Sequence, residues 1–136
     1  MSIVLVDSSV LLDVMTEDRR WHAWSSDALE RCADEGELAI NPIIYAEVSI
    51  RFERIEELDD ALPDSDFRRL PLPWEAAGKS YVRYRRRGGA RRAPLPDFYI
   101  GAHAAVSGLS LLTRDASRYR SYFPKLRVIA PRAGPP

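Results

Sequence analysis

Four acids of this chain stand where an apolar run stops or a helix begins: Asp7 after "IVLV", Glu47 in "NPIIYAEV", Asp97 in "PDFYIGAHA" and Asp115 in "LLTRD". They lie 40, 50 and 18 residues apart, so local charge patterning cannot account for them. Four carboxylates brought to one cleft would repel one another and their pKa values would rise. A hard divalent cation removes that conflict: Mg²⁺ accepts a few carboxylates, keeps several waters and needs neither imidazole nor thiol. The chain offers few other ligands, since His22 and His103 are far apart, Cys32 is the single cysteine and no zinc-type spacing occurs. The chemistry to test for is therefore that of an acid-held magnesium.

Each acid also has a plainer reading. Asp7 and Asp115 are residues of the type that caps helices or sits in turns. Asp97 falls in a first helical turn, where a negative charge gains about 0.3–1 kcal/mol from the helix dipole. Stepping 100° per residue puts Glu47 on the side of Ile43, Ile44 and Ile50. An acid in an apolar stripe is costly unless it is paired or liganded, and an arginine salt bridge or a polar pocket edge would serve. Gly101, Ala104 and Gly108 put one small residue per turn on the side of Asp97, which lets that helix lie close to its neighbours. Asp13 reads as a solvated or capping acid, and His22 and His103 as structural.

The elements that would position these acids follow from patterning. Ile3–Val6, Leu38–Ile40, "FRRLPL", Leu109–Leu112 and Arg127–Ile129 read as short strands. Helices are expected over Ser9–Met15 with Ser8 or Asp7 as cap, over Arg19–Asp34 ended by Gly36, and from Pro42 to about Leu62 with a break near Arg54–Glu56. Two more run over Pro73–Arg87, stopped by Gly88-Gly89, and over Asp97–Ser107 after Pro96, stopped by Gly108. Short all-apolar strands alternating with helices indicate a parallel sheet covered on both faces. Functional groups of such sheets collect beyond the carboxyl ends of the strands, and Asp7 is placed at one of these.

At 136 residues the length is that of a single domain, 1–136. Twenty acids balance twenty bases, which excludes a globally cationic surface. The bases are nevertheless concentrated: "RYRRRGGARR", Arg83 to Arg92, holds six arginines and no acid. Arginine's planar fork suits phosphate, so Arg85, Arg86, Arg87, Arg91 and Arg92 are candidates for contacting a nucleic-acid backbone, with Tyr81, Tyr84 or Tyr99 available for base stacking. A solvated helix end or a partner contact explains the run equally well. No run approaches the roughly 18 apolar residues of a membrane span, no secretory pattern opens the chain, and a lone cysteine suits a reducing cytoplasm.

"VDSSVLLD", "NPIIYAEV", "PDFYIGAHA" and "LLTRDASRYRSYFP" followed by "RVIAP" occur in that order. Together they resemble the PIN-domain ribonucleases, and among them the VapC toxins of bacterial toxin–antitoxin pairs. The resemblance spans nearly the whole chain. It implies a PIN-like α/β three-layer sandwich, with a mostly parallel sheet of four to five short strands and helices on both faces. It makes Asp7, Glu47, Asp97 and Asp115 the Mg²⁺ ligands, with Mn²⁺ able to substitute, and Ser9 and Thr113 the hydroxyls that orient the site. Ser117 stands where some members carry a further acid, which weakens the case for a second metal. The implied reaction is endonucleolytic hydrolysis of RNA to a 5′-phosphate and a 3′-hydroxyl by a metal-activated water. Implied partners are an RNA substrate, a VapB-like antitoxin docking near the site, where Trp21 and Trp24 could line its groove, and a second copy in a homodimer and hetero-oligomer.

Two other classes fit parts of the pattern. A receiver-type phospho-acceptor domain is also a small parallel α/β domain with an acid after its first strand, and Thr113 and Lys125 invite the comparison. It lacks here the acid pair after strand one and an acceptor Asp midway. A catalytically silent PIN-like binding module would have no need of all four acids.

Overall fold

The computed structural model describes residues 2–63, 66–88 and 96–132. Five strands, β1 (Ser2–Val6), β2 (Gly36–Ile40), β3 (Arg68–Arg69), β4 (Ser110–Leu112) and β5 (Val128–Ile129), form one sheet in the order β3-β2-β1-β4-β5. Every pairing is parallel, with Leu5 opposite Ala39 on one side and Leu111 on the other. β1 is thus central, and its Val4, Leu5 and Val6 are buried. That is why its sequence is an unbroken apolar run rather than an alternating one.

Seven helices connect and cover the strands: α1 (Ser8–Met15), α2 (His22–Glu35), α3 (Pro42–Ser49), α4 (Ile55–Ala61), α5 (Trp74–Arg86), α6 (Pro96–Ser107) and α7 (Ala116–Tyr122). The result is the expected three-layer α/β sandwich. α3 starts on an Asn41 cap whose Oδ1 accepts from the Ile44 amide at 2.9 Å, with Pro42 in the first turn. The break between α3 and α4 spans residues 50–54, and Ile50, expected on the apolar stripe, is 82% exposed because α3 has already ended.

Gly36 ends α2 as expected, with an extended backbone. Its reason is proximity, since a Cβ there would stand 2.3 Å from the carbonyl oxygen of Ser2 on β1. α7 was not foreseen, because "ASRYRSY" is short and mostly polar. The third strand is only two residues long, as edge strands often are.

The topology fixes where a site can form. The chain winds from β1 outward through β2 to β3, then returns to the other side of β1 for β4 and β5. The direction reverses between β1 and β4, and the carboxyl ends of the two strands beside that reversal open a crevice. Asp7 follows β1 and Thr113 follows β4.

Candidate active site

The two strand ends are clamped together, as the Asp7 amide donates to the carbonyl of Leu112 at 2.9 Å. Asp7 occupies the N-cap position of α1 but makes no capping bond. Its buried carboxylate instead accepts at Oδ2 from Thr113 Oγ1 at 2.8 Å and from Ser9 Oγ at 3.0 Å. Neither bond reaches Oδ1. Burial pushes the Asp7 pKa up; the Thr113 and Ser9 hydroxyls pull the other way, and the charge of Asp97 adds to the rise. The capping explanation for Asp7 therefore does not hold.

Glu47 reaches the same place from α3. Ser8 Oγ donates to its Oε1 at 2.9 Å, and no arginine pairs with it among the described residues. Its pKa is raised chiefly by burial, and further by the charges of Asp7 and Asp97. Asp97, in the first turn of α6, completes this trio and is hydrogen-bonded to Arg118 of α7. α3 and α6, which carry Glu47 and Asp97, are tied by a buried pair. Asn41 spends its oxygen on its cap, so its Nδ2 donates to His103 Nδ1 at 3.0 Å. His103 is buried, and desolvation lowers its pKa and keeps it neutral.

Asp115 is placed differently. Its carboxylate is 60% exposed and lies 3.8 Å from Arg114. Its amide donates to Thr113 Oγ1 at 3.0 Å, so one hydroxyl links the two backbone turns. Arg118 feels both Asp97 and Asp115. Among the described residues no three His, Cys, Asp or Glu side chains form a ready coordination set. Asp7, Glu47 and Asp97 converge electrostatically, with Arg118 as an internal counter-charge on one of them.

Tyr119 was absent from the sequence reading. It is 1% exposed, is held well above the ordinary phenol range by burial and then by the charges of Asp7 and Asp97, and lies beside the Asp7 carboxylate. Yet its hydroxyl has no hydrogen-bond partner of good geometry. Its ring needs Gly101, where a Cβ would stand 3.0 Å from Tyr119 and 2.9 Å from Phe123. A buried hydroxyl without a partner costs about 1–3 kcal/mol. All the donors here are hard oxygens, Asp7 and Glu47 have no ion-pair partner among the described residues, and an orphaned hydroxyl adjoins them. In donor chemistry this set fits a hydrated Mg²⁺ or Mn²⁺. The only signal in the sequence was the position of Tyr119, four residues after Asp115 and so one helical turn on.

Asp13 is corrected from a surface acid to a buried one. It accepts from Ser25 Oγ at 2.8 Å and from Arg114 Nε at 2.9 Å, and the Arg114 guanidinium lies over the Trp21 ring at 5.6 Å. Of the arginine run, Arg85, Arg86 and Arg87 are exposed at the end of α5, while Arg91 and Arg92 lie outside the described residues. Tyr81 and Tyr84 pack on the buried Phe98, at 5.2 and 5.3 Å, in a small second core, so these rings are spent on packing. Lys125 lines a groove beside Leu109 and Ser110, at the other end of β4 from Thr113. It cannot complete a receiver-type site.

The sequence pattern of the PIN domain matches residues 4–123. No curated protein sequence matches the chain. Among solved structures, the chain is similar to VapBC2 from Rickettsia felis bound to a DNA fragment from its promoter, with 17% identity, a TM-score of 0.71 and 94% and 98% of the two chains covered. It is also similar to a toxin–antitoxin complex from Klebsiella pneumoniae, at 23% identity, a TM-score of 0.67 and coverage of 93% and 96%. FitAcB from Neisseria gonorrhoeae matches at 19% identity, a TM-score of 0.64 and coverage of 93% and 96%. At such identities the likeness is one of fold.

Proposed function

This chain belongs to the PIN-domain family, and we propose that it is a Mg²⁺-dependent endoribonuclease, the toxin of a toxin–antitoxin pair. The observation that carries the reading is that Ser8 and Ser9, beside Asp7 at the end of β1, bond Glu47 and Asp7 respectively while Thr113 at the end of β4 bonds Asp7. This brings the two acids to one place, with Asp97 of α6 near enough to act on both. A purely structural cluster would gain nothing from placing Asp7 and Glu47 out of water without a cation beside either.

In this reading Asp7, Glu47 and Asp97 hold the metal, and Asp115 joins from the rim. A divalent ion bound there supplies activation of the attacking water and stabilisation of charge on the phosphate oxygens. Ser9 and Thr113 fix the rotamer of Asp7 by bonding its Oδ2, and the carboxylate so oriented would hold the ion. Ser8 does the same for Glu47. Arg118, hydrogen-bonded to Asp97, supplies a counter-charge that a bound cation would replace. Arg85, Arg86 and Arg87, with Arg91 and Arg92, would track the RNA backbone.

A VapB-like antitoxin would silence the enzyme, in keeping with the toxin–antitoxin assemblies whose fold it shares. Homodimer and hetero-oligomer formation and a cytoplasmic site of action belong to the same proposal. No helix of the described residues is long and apolar enough to cross a membrane.

The test is cleavage of purified RNA by the purified protein with Mg²⁺, with EDTA, and by Asp7→Asn. Cleavage that needs Mg²⁺ and is lost in the variant supports the reading. Cleavage that persists in EDTA or in the variant overturns it.

A further inference from the structure

We propose a second RNA-backbone site, remote from the acids, in the groove between the last turns of α5, the end of α6 and the connection from α7 to β5. This rests on the ribonuclease reading and extends it. The groove encloses about 820 Å³ and is lined by Arg83, Arg87, Lys125 and Arg127 with no carboxylate. In a chain whose charges sum to zero, four bases without an acid are a local concentration.

The contacts of these bases leave their charge in place. Arg83 donates to Ser80 Oγ, Arg87 to the carbonyl of Tyr122 and Arg127 to Ser110 Oγ, all neutral acceptors. No ion pair to any of the four is present among the described residues. Arginines in the last turn of α5 also answer its dipole, but a helix end carries only about half a negative charge. Two helix ends, those of α5 and α6, reach this groove, so four cations leave it clearly positive. Lys125 and Arg127 belong to neither helix, and the dipole does not explain them.

The phosphodiester backbone is the ligand that matches. Its charge repeats along its length, as the bases do along the groove. Position sets the length of RNA required. Asp97 opens the 12-residue α6 and the groove lies at its other end, about 18 Å away at the helical rise. At about 3.4 Å per stacked nucleotide, an RNA must extend at least five nucleotides beyond the cleavage point to touch both.

The experiment measures fluorescence-anisotropy binding of two labelled single-stranded RNAs of mixed sequence, a 3-mer and a 24-mer, to full-length protein carrying Asp7→Asn to prevent cleavage. Lys125→Ala/Arg127→Ala in that background is the test variant. Lys125→Glu is the second variant, since that side chain has no bond to lose. Expected are a roughly tenfold weaker 24-mer affinity, an unchanged 3-mer affinity and a log–log salt slope shallower by about 1.4, at about 0.7 per released contact. Equal 24-mer binding and slope in all proteins would overturn the groove alone, provided the unsubstituted enzyme cleaves RNA with Mg²⁺. An unsubstituted enzyme that neither binds nor cleaves RNA overturns the ribonuclease reading and the groove with it.

Discussion

Thr113 Oγ1 donates to Asp7 Oδ2 at 2.8 Å while accepting from the Asp115 amide at 3.0 Å. A single buried hydroxyl thus joins two strand ends that are 106 residues apart in sequence. Thr113→Val keeps the shape and deletes both bonds. It should cost about 1–3 kcal/mol, because a buried acceptor and a buried donor lose their partner. Mn²⁺ affinity by isothermal titration should fall several-fold, and Thr113→Ser should restore it. Equal affinity in Thr113→Val would remove the positioning role.

The raised pKa values of Asp7 and Glu47 set the pH response of the metal-free protein. Each folded carboxyl binds its proton more readily than the unfolded one, whose values are 3.8 and 4.5. Stability from these groups therefore declines as pH rises from those values through the raised ones, and the penalty is complete above them. Melting in EDTA should be higher at mildly acid than at neutral pH. Asp7→Asn should flatten that dependence and raise the neutral-pH Tm, each kcal/mol being worth roughly 4 °C at this length. A lower neutral-pH Tm in Asp7→Asn would contradict the assignment of burial as the cause.

Tyr119→Phe removes an orphaned hydroxyl and keeps the ring against Gly101. Without metal the variant should be as stable as the parent or more so by up to about 1 kcal/mol, since no satisfied bond is lost. Its Mn²⁺ affinity, followed by electron paramagnetic resonance of the free ion, should fall by about threefold or more. Unchanged affinity would show that the hydroxyl plays no part at the metal.

Asp13→Ala addresses stability alone. It breaks a buried pair whose acid is 2% exposed, and such breaks cost about 3–5 kcal/mol. Arg114→Ala should be of similar size, since it strands the buried carboxylate, and the double substitution should cost less than the two together. Chemical denaturation gives all three values, and strict additivity would mean that the pair is not coupled.

The layered fold was legible because buried parallel strands are written as unbroken apolar runs, as in "IVLV" and "LSLL". Glu47 stood out because an acid on an apolar helix face demands an explanation. What escaped notice depended on three-dimensional neighbours. Asp13 stands between Leu12 and Val14 on α1, and nothing local reveals that Ser25 and Arg114 close over it. Tyr119 sits in a short polar helix whose place is set by Gly101, another segment's missing side chain. Asp115 was grouped with the other acids from its place after a strand; nothing local shows that its carboxylate is exposed and lies 3.8 Å from Arg114.

Because β4 inserts beside β1 only after more than a hundred residues have passed, the ribosome releases this protein's central strand long before its neighbour exists. A nascent chain has Asp7 from the outset but neither Thr113 nor Tyr119, so the cleft is completed late in translation. A chain stopped at Ser107 should neither melt cooperatively nor take up a divalent ion. Vectorial synthesis then delays whatever the finished cleft does until its last strands are in place.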